Sequence, residues 1–288
     1  MRGNRGGRRG TLGLAAAVVA LAATGCGDGD SEAPEALEGE AAAKALAEGA
    51  TLTNDSTEPV EASLGGAVTG LGLGDQEFSF DGSVDPESET GTFAVEVNGA
   101  TFDLILTEDA AYISSDEPTF TDALPEGAEW IELSVEELNS SGINTGFKEG
   151  AFSPQLYLAL GATDIEAGGS EKVGDDPVRS YSFTIDEAKA VEEAPAEVKS
   201  DVEDAINLEG EDPTIKGEAT LDSEGRMRSF NAVGTVGSLD GAEVEVTLGT
   251  ELVAFGVEID AEPPDPDATV PLTDAPDALT ALQSVLVG

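Results

Sequence analysis

The side chains that could do chemistry are few in kind. The chain of 288 residues has no histidine, one cysteine (Cys26), 59 aspartates and glutamates, and 13 lysines and arginines. Without histidine it lacks the commonest base, proton shuttle and metal ligand near neutral pH. It has no Gly-x-Ser-x-Gly elbow, no Ser-x-x-Lys pair and no glycine loop to cradle a phosphate. Two carboxylates could serve glycoside hydrolysis, but among 59 of them such pairs arise by chance. Asp28, Asp30 and Glu32 alternate as in a calcium loop, yet the glycine turn and the distal glutamate are missing. The sequence therefore predicts no catalytic residue, no metal ligand and no cofactor: not an enzyme.

What remains is the thiol, and its setting is specific. Cys26 closes Leu21-Ala22-Ala23-Thr24-Gly25-Cys26, after an apolar run from Leu12 and a basic tip with Arg2, Arg5, Arg8 and Arg9. This is the layout of a signal peptide over residues 1–25, shorter than the roughly 20 apolar residues of a membrane span. The tail resembles the bacterial lipobox, whose cysteine carries diacylglycerol, with Ala23 where that pattern prefers leucine. The expectation is a lipidated Cys26, a flexible acidic tether over 26–34, and a domain held at the extracytoplasmic face of the cell membrane.

Charge narrows the partners further. Removing the four signal arginines leaves nine basic residues against 59 acidic ones, a formal charge of −50. Such a surface repels nucleic acid and anionic headgroups, so no nucleic-acid partner is expected. Disorder is not implied, because 40% of the residues are hydrophobic and they alternate with period two.

The elements follow from that alternation. An Ala-rich helix is predicted over about 35–50. Strands are predicted at Val60–Leu73, Glu77–Asp81, Thr92–Asn98 and Thr101–Thr107, with an Asn98-Gly99 hairpin, and then at Ala111–Ile113 and Glu129–Leu133. Ser134 and Glu137 read as a capping box, and Ser153-Pro154 as the start of a short helix ending at Gly161. Lys172–Ile185 returns to strand, a helix runs from about Pro195 to 208, and a meander follows over 214–259. The span 263–288 reads as an extended tail with a short final helix.

The aromatic and leucine residues of the strands admit two readings. Phe78, Phe80, Phe93, Phe102, Leu104, Leu106, Tyr112, Trp130, Tyr181 and Phe183 are either the core of a β domain or the lining of a groove. The order of the segments bears on that choice. A lipoprotein cysteine, tether, helix and strands lead to the Tyr112 strand and Trp130-Ile131-Glu132-Leu133. Gly169–Gly174, Arg179–Ile185 and Leu221–Arg228 come later. Over roughly 35–262 this order resembles the actinobacterial LppX/LprA/LprF/LprG lipoproteins, similar in fold to the LolA and LolB carriers. The resemblance implies an α+β fold, one strongly curved antiparallel sheet forming an unclosed half-barrel, with helices on the concave face. It also implies an acyl lipid or lipoglycan held there without catalysis. The alternative is a ligand-free envelope module that binds a protein partner.

Overall fold

Alternating side chains give each strand one apolar face, and a sheet can bury that face only by curling or by taking helices onto it. This chain does both. The computed structural model describes residues 33–69, 76–134, 137–138, 154–206, 214–239 and 242–287. All of them belong to one compact unit, Glu32–Gly288, the other unit being Met1–Ser31. Cys26, the leader and the tether up to residue 32 lie outside the described residues, as do the ends of several expected elements, residues 70–73 and 207–208 among them.

The first helix, α1, spans Gly39–Asn54. Six strands follow: β1 (Val60–Thr69), β2 (Gln76–Asp85), β3 (Thr90–Val97), β4 (Ala100–Leu106), β5 (Ala110–Ser115) and β6 (Trp130–Ser134). A single turn, α2 (Pro118–Thr121), sits between the last two. A 3-10 helix over Pro154–Gly161 leads to β7 (Ala162–Val173) and β8 (Asp176–Ile185). Two short helices, α3 (Glu187–Glu193) and α4 (Lys199–Ile206), precede β9 (Thr214–Leu221), β10 (Met227–Leu239) and β11 (Ala242–Phe255). The chain ends with β12 (Thr269–Pro271) and α5 (Pro276–Val287).

All twelve strands make one sheet in the order β12-β6-β5-β4-β3-β2-β1-β11-β10-β9-β8-β7. Its two halves join through the long antiparallel pair of β1 with β11. The fold is α+β with an unclosed sheet, as the sequence reading expected.

The curl can be read from one contact. A Cβ on Gly174, in the turn joining β7 to β8, would lie 2.7 Å from the Val253 carbonyl oxygen of β11. In a flat sheet β8 and β11 would lie about 14 Å apart. Gly174 adopts φ +58°, which a glycine takes without strain.

The short helix expected to start at Ser153-Pro154 and end at Gly161 is present over Pro154–Gly161 as a 3-10 helix, buried from Leu156 onward. Two expectations need correcting. The helix expected from Pro195 begins at Lys199, and α3 before it is capped by the Asp186 carboxylate, which accepts from the Lys189 N–H. The expected tail is part of the sheet: β12 pairs in parallel with β6, and Ala275, Ala278 and Leu282 are buried in the core.

Candidate functional site

Strand register carries one apolar face across almost the whole sheet. Tyr181, Ala219, Phe230, Thr250, Leu64, Phe80, Val95 and Phe102 are successive direct partners from β8 to β4. A neighbouring row runs Phe183, Gly217, Ala232, Leu248, Gly66, Phe78 and Val97. A third runs Leu252, Ala62, Gly82, Phe93, Leu104, Ile113 and Ile131. Because side chains alternate, the carboxylates of the same strands fall on the other face: Glu61, Glu77, Asp81, Glu96, Asp103 and Glu251.

Helices cover this face at its two ends. Over β8–β10 lie α1, the 3-10 helix, α3 and α4, which bury Tyr181 and Phe183 with Leu46, Leu156, Val198 and Phe230. Over β3–β6 lie Phe120 of α2 and Ala278 and Leu282 of α5, packed on Phe93, Phe102, Leu104 and Leu106. The first of these covers is pinned by polar contacts. Thr53 of α1 donates to the Met227 carbonyl and accepts from its N–H. Gln155 Nε2 of the 3-10 helix donates to Thr250 Oγ1 at 2.9 Å. Leu37 N–H donates to the Tyr181 hydroxyl, and Arg179 Nε donates to the Pro34 carbonyl, which ties the residues just before α1 to β8.

Between the covers the face is only half-buried. The stretch consists of Gly66 and Val68 of β1, Phe78 and Phe80 of β2, and Val246 and Leu248 of β11. Among the described residues no charged side chain shares it. Phe78 is 37% exposed, and Leu52 of α1 is the other large apolar side chain standing exposed among the described residues. The Phe78 and Phe80 rings meet edge to face, with centroids 6.3 Å apart.

The ten residues singled out by sequence are thus divided. Phe93, Phe102, Leu104, Leu106, Tyr181 and Phe183 share the apolar face but are sealed as core beneath the helices. Phe78 and Phe80 lie in the half-buried stretch. Tyr112 and Trp130 are on the opposite face, because their strand neighbours Ile113 and Ile131 take the inner one. The ten therefore do not share one open surface. Gly66, Val68, Val246 and Leu248 escaped the sequence reading, since small and β-branched residues in a strand carry no mark of which face they join.

On the outer face, Trp130 borders a shallow hollow of about 500 Å³ with Ile105, Val257 and the carboxylates of Glu61, Asp81, Asp103 and Glu258. Burial raises the Tyr112 phenol above its ordinary value, and the charges of Glu132 and Asp109 add to the effect. Among the described residues no three carboxylates come close enough to hold a metal ion, and no helix is long and apolar enough to cross a membrane.

No family model matches the chain, and no curated protein matches it. Among solved structures it is similar to LprF from Mycobacterium bovis, at 11% identity and a TM-score of 0.39, over 78% of this chain and 98% of that one. It is also similar to a LolA superfamily protein from Nitrosomonas europaea, at 9% identity and a TM-score of 0.28, over 73% and 93% of the two chains. Both likenesses run along most of each chain and superpose loosely.

Proposed function

We propose that this protein is a membrane-tethered, non-catalytic binder of acylated lipids, which holds an acyl chain against the half-buried stretch of the inner face. The observation that carries this reading is the contrast along that face. Among the described residues, both ends are sealed by helices, while the middle, with Phe78 and Leu248, stays half-open and free of charge. An acyl chain laid there gains about 25 cal/mol per Å² of apolar surface removed from water. The outer carboxylates keep the domain from adhering to anionic leaflets. The tether supplies proximity: diacylglycerol on Cys26 adds about 0.8 kcal/mol per buried CH₂, and two chains suffice for stable attachment.

Native mass spectrometry tests the reading on the Cys26→Ser chain purified from its own host. The expected result is release into the soluble fraction together with an extractable acyl species bound to the domain. A chain that carries no acyl species and takes up no fluorescent fatty acid overturns it, leaving the envelope module that binds a protein partner.

A further inference from the structure

We infer that Phe78 is a movable plug, whose ring fills a dent over Gly66 and gives way to the acyl chain that takes its place. The inference rests on the lipid reading above and assigns that site its gating residue. Phe78 and Gly66 are direct partners on β2 and β1. A Cβ built on Gly66 would come 2.6 Å from both Cε1 and Cζ of the ring, so the ring occupies the space of the missing side chain.

Two other cross-strand pairs share this arrangement, and they show what is different here. Phe93 lies over Gly82 and Phe183 over Gly217. Those rings are 3% and 5% exposed, wedged beneath helices, and serve as core. The Phe78 ring is held from below and from one side by Phe80, but is 37% exposed above. A ring so placed can turn about χ1 on the fast timescale of exposed side chains. Turned aside, it leaves a dent floored by Gly66 and walled by Leu248, Val68 and Phe80. The dent is apolar and continuous with the rest of the inner face, which suits a single methylene chain.

The test places a reporter at the plug. Trp130 is the only tryptophan and lies on the outer face, so Trp130→Phe clears the background for Phe78→Trp in the same full-length chain. Brominated stearate, which quenches indole on contact, is the probe, and a dansylated fatty acid reports uptake independently. The expected result is strong quenching of the new indole at the concentrations where the dansyl probe is displaced. In the otherwise native chain, Phe78→Ala should take up the dansyl probe about fivefold faster, because the open form is then fully populated instead of being the minor partner of a fast exchange. Circular dichroism and the melting midpoint confirm that both variants are folded. Uptake with an unquenched indole, or an unchanged rate in Phe78→Ala, overturns the plug while leaving the lipid reading intact. No uptake by the native chain overturns both.

Discussion

Arg228 donates from Nη1 to the Asp176 carboxylate, and the guanidinium is fully buried while that carboxylate is 57% exposed. Nε and Nη2 of the same side chain donate to the Leu252 and Val253 carbonyls of β11, at 2.8 and 2.6 Å. An oxygen of the buried Asp222 lies 3.7 Å from Nη1. One arginine on β10 thus ties together the start of β8, the β9–β10 turn and the last residues of β11, where the sheet curls. Removing a buried cation from such a network leaves its partners unsatisfied, so Arg228→Ala should cost about 3–5 kcal/mol. Asp176→Asn, at an exposed partner, should cost about 0–1 kcal/mol. Urea unfolding measures both, and equal losses would mean that Arg228 does not organise the curl.

Gly217 gives a second, sharper packing test. A Cβ there would come 2.2 Å from Cε2 of Phe183, and that ring is sealed beneath the helical cover and cannot swing away. Gly217→Ala should therefore destabilise by about 1–3 kcal/mol, the usual cost of overpacking. Gly169 on β7 is the control, because nothing lies within 4 Å of the position a Cβ would take. If Gly217→Ala unfolds at the same denaturant concentration as Gly169→Ala, the ring is not wedged.

Much of this architecture was legible where local chemistry decides it. Asn98 and Gly99 adopt φ of 52° and 85°, the paired positive values that a two-residue hairpin demands. Ser134 and Glu137 form the reciprocal capping box, with Glu137 Oε2 accepting from the Ser134 N–H and Ser134 Oγ from the Glu137 N–H. What stayed hidden was non-local. β12 is three residues in a proline-rich stretch and pairs with Trp130–Glu132, which lie far earlier in the chain. Most of β7 is exposed and glycine-bearing, so it shows no alternation and is ordered by pairing with β8. Period two separates Tyr112 from Ile113 and Trp130 from Ile131 but does not say which of each goes inward. Only the register with β4 and β5 decides that.

Net charge sets a dependence on salt. The formal charge is −46, and Glu61, Glu77, Asp81, Glu96, Asp103 and Glu251 set part of it side by side on the outer face of the sheet. Their repulsion is screened within about 10 Å at 0.1 M salt. Among the described residues the pairs that salt could weaken are Lys44–Glu48, exposed on both sides, and those of Arg226 with Glu58 and Glu224 and of Arg228 with Asp176, in which the carboxylate is exposed; against 59 acidic residues they are a minor part. The melting temperature should therefore rise with sodium chloride up to about 0.5 M, most steeply at the low end. A flat or falling curve would show that the surface repulsion is not felt in the folded state.

Tyr157 sets a dependence on alkali. It lies in the 3-10 helix that covers the inner face and is 2% exposed. Burial pushes its phenol above the ordinary 10.0, and the negative charges of Asp55 and Glu197 push it the same way. The folded protein therefore holds this proton more tightly than the unfolded chain does. Below about pH 10 both states keep it and the group has no effect on stability. Above that value the unfolded chain ionises first, and stability falls as pH rises toward the folded-state value. Tyr157→Phe removes the proton and with it this part of the decline. Urea midpoints compared between about pH 9 and about pH 11 should drop further in the native chain than in Tyr157→Phe. An equal drop in the two would place the alkaline loss elsewhere, with Tyr112 the next phenol to replace, since its proton is also held by burial.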